Sequence, residues 1–218
     1  MINPSRYFEY NSGVLLVEWP KGKNLNTLHS IQIVDNQLNS HYSNFIYETV
    51  PGYHSLLVYY NHKQLDNIVL ETFISKIKEP SENLQESKHW EIPVKYDTNY
   101  GLDLDFLSEE LQLTINEIIN LHSSPTYTIH FIGFLPGFIY LSGLPKELDI
   151  PRRKDPRIRI PRGSVALAAG QTGIYPVDSP GGWHIIGRSS ASLFDPFSDP
   201  PSIYNSGDTV RFINIAQV

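Results

Sequence analysis

Hydrophobic positions recur along the chain with two periods, every second residue as in a strand and every third or fourth residue as in a helix. Both periods occur in a first region, and only strand-like runs occur in the last part of the chain. In the first region, alternating runs at residues 13–19, 44–50 and 55–60 predict strands, because successive side chains of a strand face opposite sides. Apolar residues recur every three or four positions at residues 24–39 and 64–78, which predicts two helices. Beyond residue 127 the helical period disappears, and short strand-like runs alternate with proline and glycine turns.

The order of elements in the first region favours an α+β fold. With a further strand-like run at residues 90–96, the order becomes β-α-β-β-α-β, which is that of a ferredoxin-like split unit. The polar segment 79–89 contains Pro80 and is the best candidate for a linker, so the last strand could lie beyond it. The pattern therefore predicts an α+β N-terminal domain over residues 1–88 and a mainly β domain over residues 89–218.

The second domain is predicted to contain two short helices followed by strands. A helical piece is expected near residues 103–110, and Thr114 with Glu117 forms a capping box that opens a helix ending near His122. Strands are predicted at residues 128–132, 157–160, 165–168, 183–186 and 209–213. Several short strands separated by turn residues are typical of a small β-barrel.

Composition and charge argue against several kinds of function. A net charge of −6 argues against non-specific nucleic-acid binding. The chain contains no cysteine, which excludes thiolate catalysis, and the histidine spacing predicts no metal site. We find no apolar run long enough for a membrane span and no secretory signal in the first residues, so we expect a cytoplasmic protein.

A basic run lies between Pro151 and Gly163. Six basic residues in eleven positions are opposed only by Asp155, so the run carries a charge of +5. The six are Arg152, Arg153, Lys154, Arg157, Arg159 and Arg162. Guanidinium groups bind carboxylates and phosphates, so one interpretation is an anion pocket. The other is a solvated strand face, with Ile158 and Ile160 directed inward.

Three motifs rich in glycine and aromatic residues surround this run: G-F-L-P-G-F-I-Y at 133–140, G-Q-T-G-I-Y-P at 170–176 and S-P-G-G-W at 179–183. They predict a pocket with an aromatic wall and backbone N–H donors, and the alternative is barrel core with structural turns. The candidate substrate-binding residues are Pro136, Gly137, Tyr140, Arg152, Gln171, Thr172, Gly173, Gly181, Gly182 and Trp183.

These blocks, in this order, resemble the family of the 5-oxoprolinase B subunit, also called the KipI or allophanate-hydrolase-subunit-1 family. Residues 92–94, the Leu-His-Ser motif at 121–123 and residues 207–212 also fit the family pattern, whereas the first eighty-odd residues fit only by length and pattern. The resemblance implies a cyclophilin-like barrel for the second domain. His122, Arg153 and Arg157 are the catalytic candidates, although a histidine at the end of a helix more often interacts with the helix dipole.

The resemblance also implies a function. Family members form an ATP-dependent 5-oxoprolinase, which converts 5-oxo-L-proline to L-glutamate. Their partners are a C subunit of the KipA type, similar to biotin-dependent carboxyltransferases, and an A subunit of the LamB/YcsF type. The sequence has neither a P-loop nor a G-x-S-x-G motif, so we expect ATP to be bound by, or shared with, these partners. Two alternatives stay open: an inhibitor of a sensor histidine kinase, and the carboxyltransferase part of a urea carboxylase or allophanate hydrolase system.

Overall fold

The computed structural model forms two compact units, residues 1–86 and 87–218, and each has its own hydrophobic core. It describes residues 4–21, 25–78 and 87–215. In this part of the chain, none of the helices combines the length and the apolar composition that a membrane crossing would require.

The N-terminal unit is a four-stranded antiparallel sheet with two helices. Its elements are β1 (Arg6–Asn11), β2 (Val14–Glu18), α1 (Leu25–His41), β3 (Ile46–Pro51), β4 (Ser55–Tyr60) and α2 (Asn67–Lys76). The strand order is β1-β2-β4-β3. Alternate residues of β2 and β4, such as Leu15 and Val58, are fully buried against apolar residues of both helices, including Ile31 and Ile74. The alternation of the sequence therefore predicts which side of these strands is buried.

The predicted β-α-β-β-α-β arrangement of this unit is not confirmed. β1, which the pattern missed, pairs with β2 at the edge of the sheet. The run predicted as the last strand is β5 (His89–Lys95), and it belongs to the other unit. β1 was missed because most of its side chains are exposed, including those of Phe8 and Tyr10, so its sequence carries no contrast between a buried and a solvated face.

The second unit is built on a closed seven-stranded barrel, so the mainly β architecture predicted for this region is confirmed. After β5 come α3 (Leu104–Leu111), α4 (Ile115–Ser123), β6 (Thr126–Ile132), β7 (Ile139–Ser142), a single 3₁₀ turn (Lys146–Leu148), β8 (Arg157–Ile160), β9 (Ser164–Ala168), β10 (Gln171–Ile174), β11 (Ser179–Gly181), β12 (His184–Ser189) and β13 (Thr209–Asn214). The barrel order is β10-β7-β6-β13-β5-β12-β9, and β8 and β11 form a separate two-stranded ribbon. The Thr114–Glu117 capping box is present at the start of α4.

Two apolar clusters occupy opposite sides of the barrel wall. All seven strands contribute to the first cluster, with residues such as Val94, Leu141 and Leu167, so it fills the barrel interior and packs against α3 and α4. The second cluster contains Ala166 and Ala168 of β9, which alternate with interior residues and therefore face outward. These small side chains leave room outside the wall for aromatic rings, and the candidate site lies in this region.

Candidate functional site on the outer face of the barrel

A buried carboxylate brings the two catalytic arginine candidates together. Asp103 lies at the start of α3, its side chain is only 3% exposed, and both of its oxygens accept charged hydrogen bonds. Arg157 donates to it through Nη1 and Nη2, both at 2.8 Å, and Arg153 donates through Nη1 at 2.7 Å. Two cations share one anion, so this group carries a local charge of about +1 rather than the +5 of the basic run.

Asp103 also fixes the beginning of β12. Its Oδ2 accepts the backbone N–H of Ile185 at 2.7 Å, and its own N–H donates to the Ile185 carbonyl at 2.9 Å. The N–H of Arg153 donates to the Gly182 carbonyl at 2.8 Å. The arginine segment and the Gly-Gly-Trp turn are therefore joined at the same place in the fold.

Arg152 is the exposed cation of the site. Its guanidinium carbon lies 6.0 Å from the centre of the Trp183 ring, within the range of a cation–π contact. Among the described residues, no carboxylate lies within ion-pair distance of Arg152, whereas Arg153, Arg157 and Arg159 each have one. Of the three arginines 152, 153 and 157, Arg152 is therefore the one whose guanidinium group can bind an external anion.

Aromatic rings form a wall beside Arg152. The Trp183 ring lies edge-on to Phe138 at 5.6 Å and to Tyr140 at 5.7 Å, and Phe138 lies edge-on to Tyr175 at 5.1 Å. Burial raises the pKa of Tyr140 and of Tyr175, the latter to about 12, while the positive charge of Arg152 opposes the shift in both. Both phenols are therefore neutral near pH 7.

At two of the candidate glycines in this wall, close packing leaves no room for a larger side chain. The Trp183 backbone N–H donates to the Tyr175 hydroxyl oxygen, and a Cβ at Gly181 would overlap that oxygen. A Cβ at Gly173 would lie 2.7 Å from the Ile139 carbonyl oxygen and 3.0 Å from the Phe138 ring. At Gly182 the nearest atoms would be 3.7 Å away, which is an ordinary contact distance.

The loop that precedes β7 lies next to this wall. Pro136 is exposed in the loop, and Gly137 has a φ of +81°, a conformation that favours glycine. A Cβ at Gly137 would lie 2.5 Å from the Phe194 Cβ. Gln171 is partly exposed at the start of β10. Within the part of the chain that the structure describes, neither the Pro136 nor the Gln171 side chain forms a hydrogen bond or ion pair with the arginines.

His122 and Thr172 lie inside the barrel and not at this site; the side chain of each is 0% exposed. Thr172 Oγ1 donates to the Ala166 carbonyl at 2.9 Å, so it accepts the proton of His122 Nε2 at 2.8 Å. His122 Nδ1 then accepts from the Tyr96 hydroxyl at 2.7 Å. Burial lowers the pKa of His122 to about 3, so the imidazole is neutral, and both ring nitrogens are already satisfied.

The rest of the basic run is a solvated surface. Arg159 pairs with Asp178 at 2.6 Å, and both side chains are largely exposed. Ile160 is fully buried, as the strand-face interpretation required, but Ile158 is 93% exposed, so its predicted inward direction is wrong. The reason is that β8 lies in the outer ribbon and is not a strand of the barrel.

Asp103 and Tyr175 contact the other residues of the site, but neither was among the candidates from the sequence: Asp103 lies outside the motifs, and Tyr175 lies within the 170–176 motif. Asp103 is 50 residues from Arg153, and at the start of a helix it resembles an ordinary N-cap, yet its side chain makes no capping hydrogen bond. The surplus of positive charge in the basic run was the available signal, because buried guanidinium groups need a counter-charge. Among residues 4–21, 25–78 and 87–215, no cluster of three histidine or carboxylate side chains is suited to a metal ion.

Comparison with known proteins places this chain in one family. The family model of the carboxyltransferase domain, subdomain C and D, matches residues 6–204, and the chain belongs to that family. The 5-oxoprolinase B subunit of Escherichia coli O157:H7 is 40% identical over 171 residues, which cover 77% of this chain and 78% of that protein. The 5-oxoprolinase B subunit of Bacillus subtilis (strain 168) is 36% identical over 182 residues, which cover 78% and 76%. The resemblance seen in the sequence motifs is thereby confirmed.

A solved structure shows the same fold within a longer chain. The crystal structure of TTHA0988 in space group P212121 matches with a TM-score of 0.82 and 32% sequence identity. The match covers 92% of this chain and 40% of that chain. The present chain therefore spans about two fifths of the length of TTHA0988.

Proposed function

We propose that this chain is the B subunit of an ATP-dependent 5-oxoprolinase, which converts 5-oxo-L-proline to L-glutamate. The observation that carries the proposal is the 40% identity to the E. coli O157:H7 5-oxoprolinase B subunit over 77% of the chain. The word "subunit" in the name of that relative supports an assembly. We propose a C subunit of the KipA type and an A subunit of the LamB/YcsF type as partners, in a complex that works in the cytoplasm, where a cysteine-free chain fits the reducing conditions.

The outer site has the chemical groups that 5-oxoproline would need. This substrate is a small lactam ring that carries one carboxylate. Arg152 is an exposed guanidinium without a described carboxylate partner, and it lies 6.0 Å from the Trp183 ring, which is itself only 5% exposed. In the proposal the substrate carboxylate pairs with Arg152, while the lactam ring lies against the partly exposed Tyr140, which packs edge-on to Trp183.

The same site does not suit the triphosphate of ATP. A triphosphate carries several negative charges, but Arg153 and Arg157 already share Asp103, and Arg159 is paired with Asp178. The sequence also lacks a P-loop. We propose that ATP is bound by one of the partners, alone or together with residues of this chain outside the arginine group.

Ring opening sets a clear requirement for the protein. Water supplies the oxygen that bonds to the lactam carbonyl carbon, the ring C–N bond breaks, and the nitrogen takes up a proton to become the amino group of glutamate. Negative charge develops on the carbonyl oxygen, and a cationic site with fixed donors stabilises it. We propose that Arg153 and Arg157 contribute through their positive charge and through the segment they hold, since Asp103 already accepts from both terminal nitrogens of Arg157 and from one of Arg153.

Reconstitution tests the proposed function. The chain is co-expressed with its candidate C subunit, the purified A subunit is added, and glutamate release from 5-oxoproline is measured with and without ATP. We expect ATP-dependent release that disappears when this chain is omitted. A stable complex of all three proteins that releases no glutamate would overturn the proposal, and other small amides would then be tried as substrates.

A further inference from the structure

Asp103 joins three segments of the barrel unit that are far apart in sequence. Its Oδ1 accepts from both arginine side chains, and its Oδ2 accepts from Arg157 and from the Ile185 backbone. One buried side chain therefore connects the start of α3, the segment 153–157 and the start of β12. A carboxylate that makes four hydrogen bonds in a buried position is held in one geometry.

Two of these segments carry the exposed Arg152 and the buried Trp183 of the candidate site. Arg152 directly precedes Arg153, and Trp183 lies two residues before Ile185. Between them, the Arg153 N–H donates to the Gly182 carbonyl. Neither the Arg152 nor the Trp183 side chain donates a hydrogen bond to Asp103, so any influence of the carboxylate on them passes through the two backbone segments.

We propose that Asp103 is a positioning residue that holds Arg152 over the Trp183 ring and thereby sets the affinity of the site for a carboxylate ligand. The physical reason is charge. Without the carboxylate, the guanidinium groups of Arg153 and Arg157 repel each other, and the segment that carries Arg152 moves. An asparagine at position 103 keeps the shape of the side chain but removes the charge and one acceptor oxygen.

A spectroscopic test reads the position of Trp183 without any assay of activity. The indole N–H resonances of Trp19, Trp90 and Trp183 are recorded by NMR, and Trp183→Phe identifies the third one. We expect Asp103→Asn to shift the Trp183 resonance and to leave those of Trp19 and Trp90 in place. The matched control is Asp105→Asn, which removes an exposed carboxylate from the first turn of the same helix and should shift none of the three. An unchanged Trp183 resonance in folded Asp103→Asn would overturn the proposal.

A second variant covers the case in which Asp103→Asn does not fold. Arg157→Gln keeps the Arg153–Asp103 pair but removes the bidentate one, so it should shift the same resonance by a smaller amount. If a folded Arg157→Gln protein leaves the Trp183 resonance unchanged, the carboxylate cluster does not position the site.

A kinetic test separates positioning from general loss of structure, and it alone rests on the proposed function. In the reconstituted enzyme, we expect Asp103→Asn to raise KM for 5-oxoproline about tenfold and to lower kcat by a smaller factor, because the binding of the carboxylate is weakened while Arg153 and Arg157 keep their positive charge. A fall in kcat at unchanged KM would contradict the proposal. If the wild-type complex itself were inactive, the proposed function would fail, while the NMR result would still decide the role of Asp103.

Discussion

The barrel wall separates two polar networks. Both contain residues of the family motifs, but they differ in charge and in exposure to solvent. Inside, His122 links Tyr96 and Thr172, and its side chain is fully buried. Outside, Asp103 links Arg153 and Arg157 and lies close in space to a segment with an exposed cation. Both networks contain residues that match the family pattern, so a motif match alone does not distinguish a structural group from one that meets a ligand.

The two networks differ in whether a charged or hydrogen-bonding group beside them still lacks a partner. In the interior chain each donor has an acceptor, from the Tyr96 hydroxyl through the imidazole to the Ala166 carbonyl, which offsets the cost of burying these groups. In the outer network the carboxylate is saturated, but Arg152 lacks a carboxylate partner among the described residues. We therefore propose that the interior network stabilises the fold and that the outer one binds the ligand.

The largest expected effect is the dependence of stability on pH through His122. Its pKa is lowered to about 3 in the folded barrel from an ordinary value of 6.5, so between these values the unfolded chain binds a proton that the folded chain does not. The free energy of unfolding should therefore fall as the pH drops below 6.5, by about 1 kcal/mol per pH unit from this group. Urea unfolding followed by fluorescence between pH 7 and pH 4.5 measures it.

Two histidine variants isolate that contribution. His122→Gln should lower stability at pH 7 by about 2 kcal/mol, because it disturbs a buried hydrogen-bond chain, and its pH profile should be flatter than that of the wild type. His89→Gln, at an exposed histidine of the same unit, should follow the wild-type profile. A His122→Gln profile parallel to the wild type would mean that His122 is not the group responsible.

A smaller effect distinguishes the two neighbouring glycines of the Gly-Gly-Trp turn. Gly181→Ala should destabilise the barrel unit by about 1–3 kcal/mol, because its Cβ would overlap the Tyr175 hydroxyl and lie 2.7 Å from Ile160 Cδ1. Gly182→Ala should change stability by less than about 0.5 kcal/mol, since its Cβ would meet nothing closer than 3.7 Å. Thermal unfolding of the two variants side by side checks the difference, and equal losses would show that the Tyr175 contact is unimportant.

The smallest effect is expected at the exposed end of the basic run. Arg159→Gln breaks a pair with Asp178 that is largely open to solvent, so neither the melting temperature nor the KM for 5-oxoproline should change measurably. Differential scanning fluorimetry and the reconstituted assay measure the two quantities. A clear rise in KM would show that the anion site includes Arg159 on β8, and that this part of the basic run is not only a solvated surface.

The fold was predictable wherever burial leaves a periodic trace in the sequence. The buried alternation of β2 and β4 and the capping box of α4 were recognised in this way. At β10 the sequence favours a turn because Gly170 and Gly173 interrupt the pattern, whereas the structure uses Gly173 inside the strand to admit the Phe138 ring. Whether β5 belongs to the first sheet or to the barrel depends on long-range pairing with β12 and β13, which the local pattern does not contain.

The site was predictable in its residue types but not in its connections. The basic run and the Gly-Gly-Trp motif led to Arg152 and Trp183, which the structure brings together. The Leu-His-Ser motif led to His122 and the G-Q-T-G-I-Y-P motif to Thr172, and the direction of these side chains relative to the barrel wall depends on the closed sheet. The pairing of Arg153 and Arg157 with Asp103 joins positions 50 and 54 residues apart, and no local pattern in the sequence indicates it.

The separate roles of the interior and outer networks are tested most directly by the steady-state kinetics of Arg152→Gln and His122→Gln. Both variants are measured in the reconstituted complex, and their rates are compared per folded molecule. We expect Arg152→Gln to raise KM for 5-oxoproline about tenfold or more with wild-type stability, and His122→Gln to retain wild-type kcat and KM at a temperature where it is folded. The opposite pattern, with Arg152→Gln unaffected and a folded His122→Gln inactive, would place the function inside the barrel and contradict the assignment of ligand binding to the outer network.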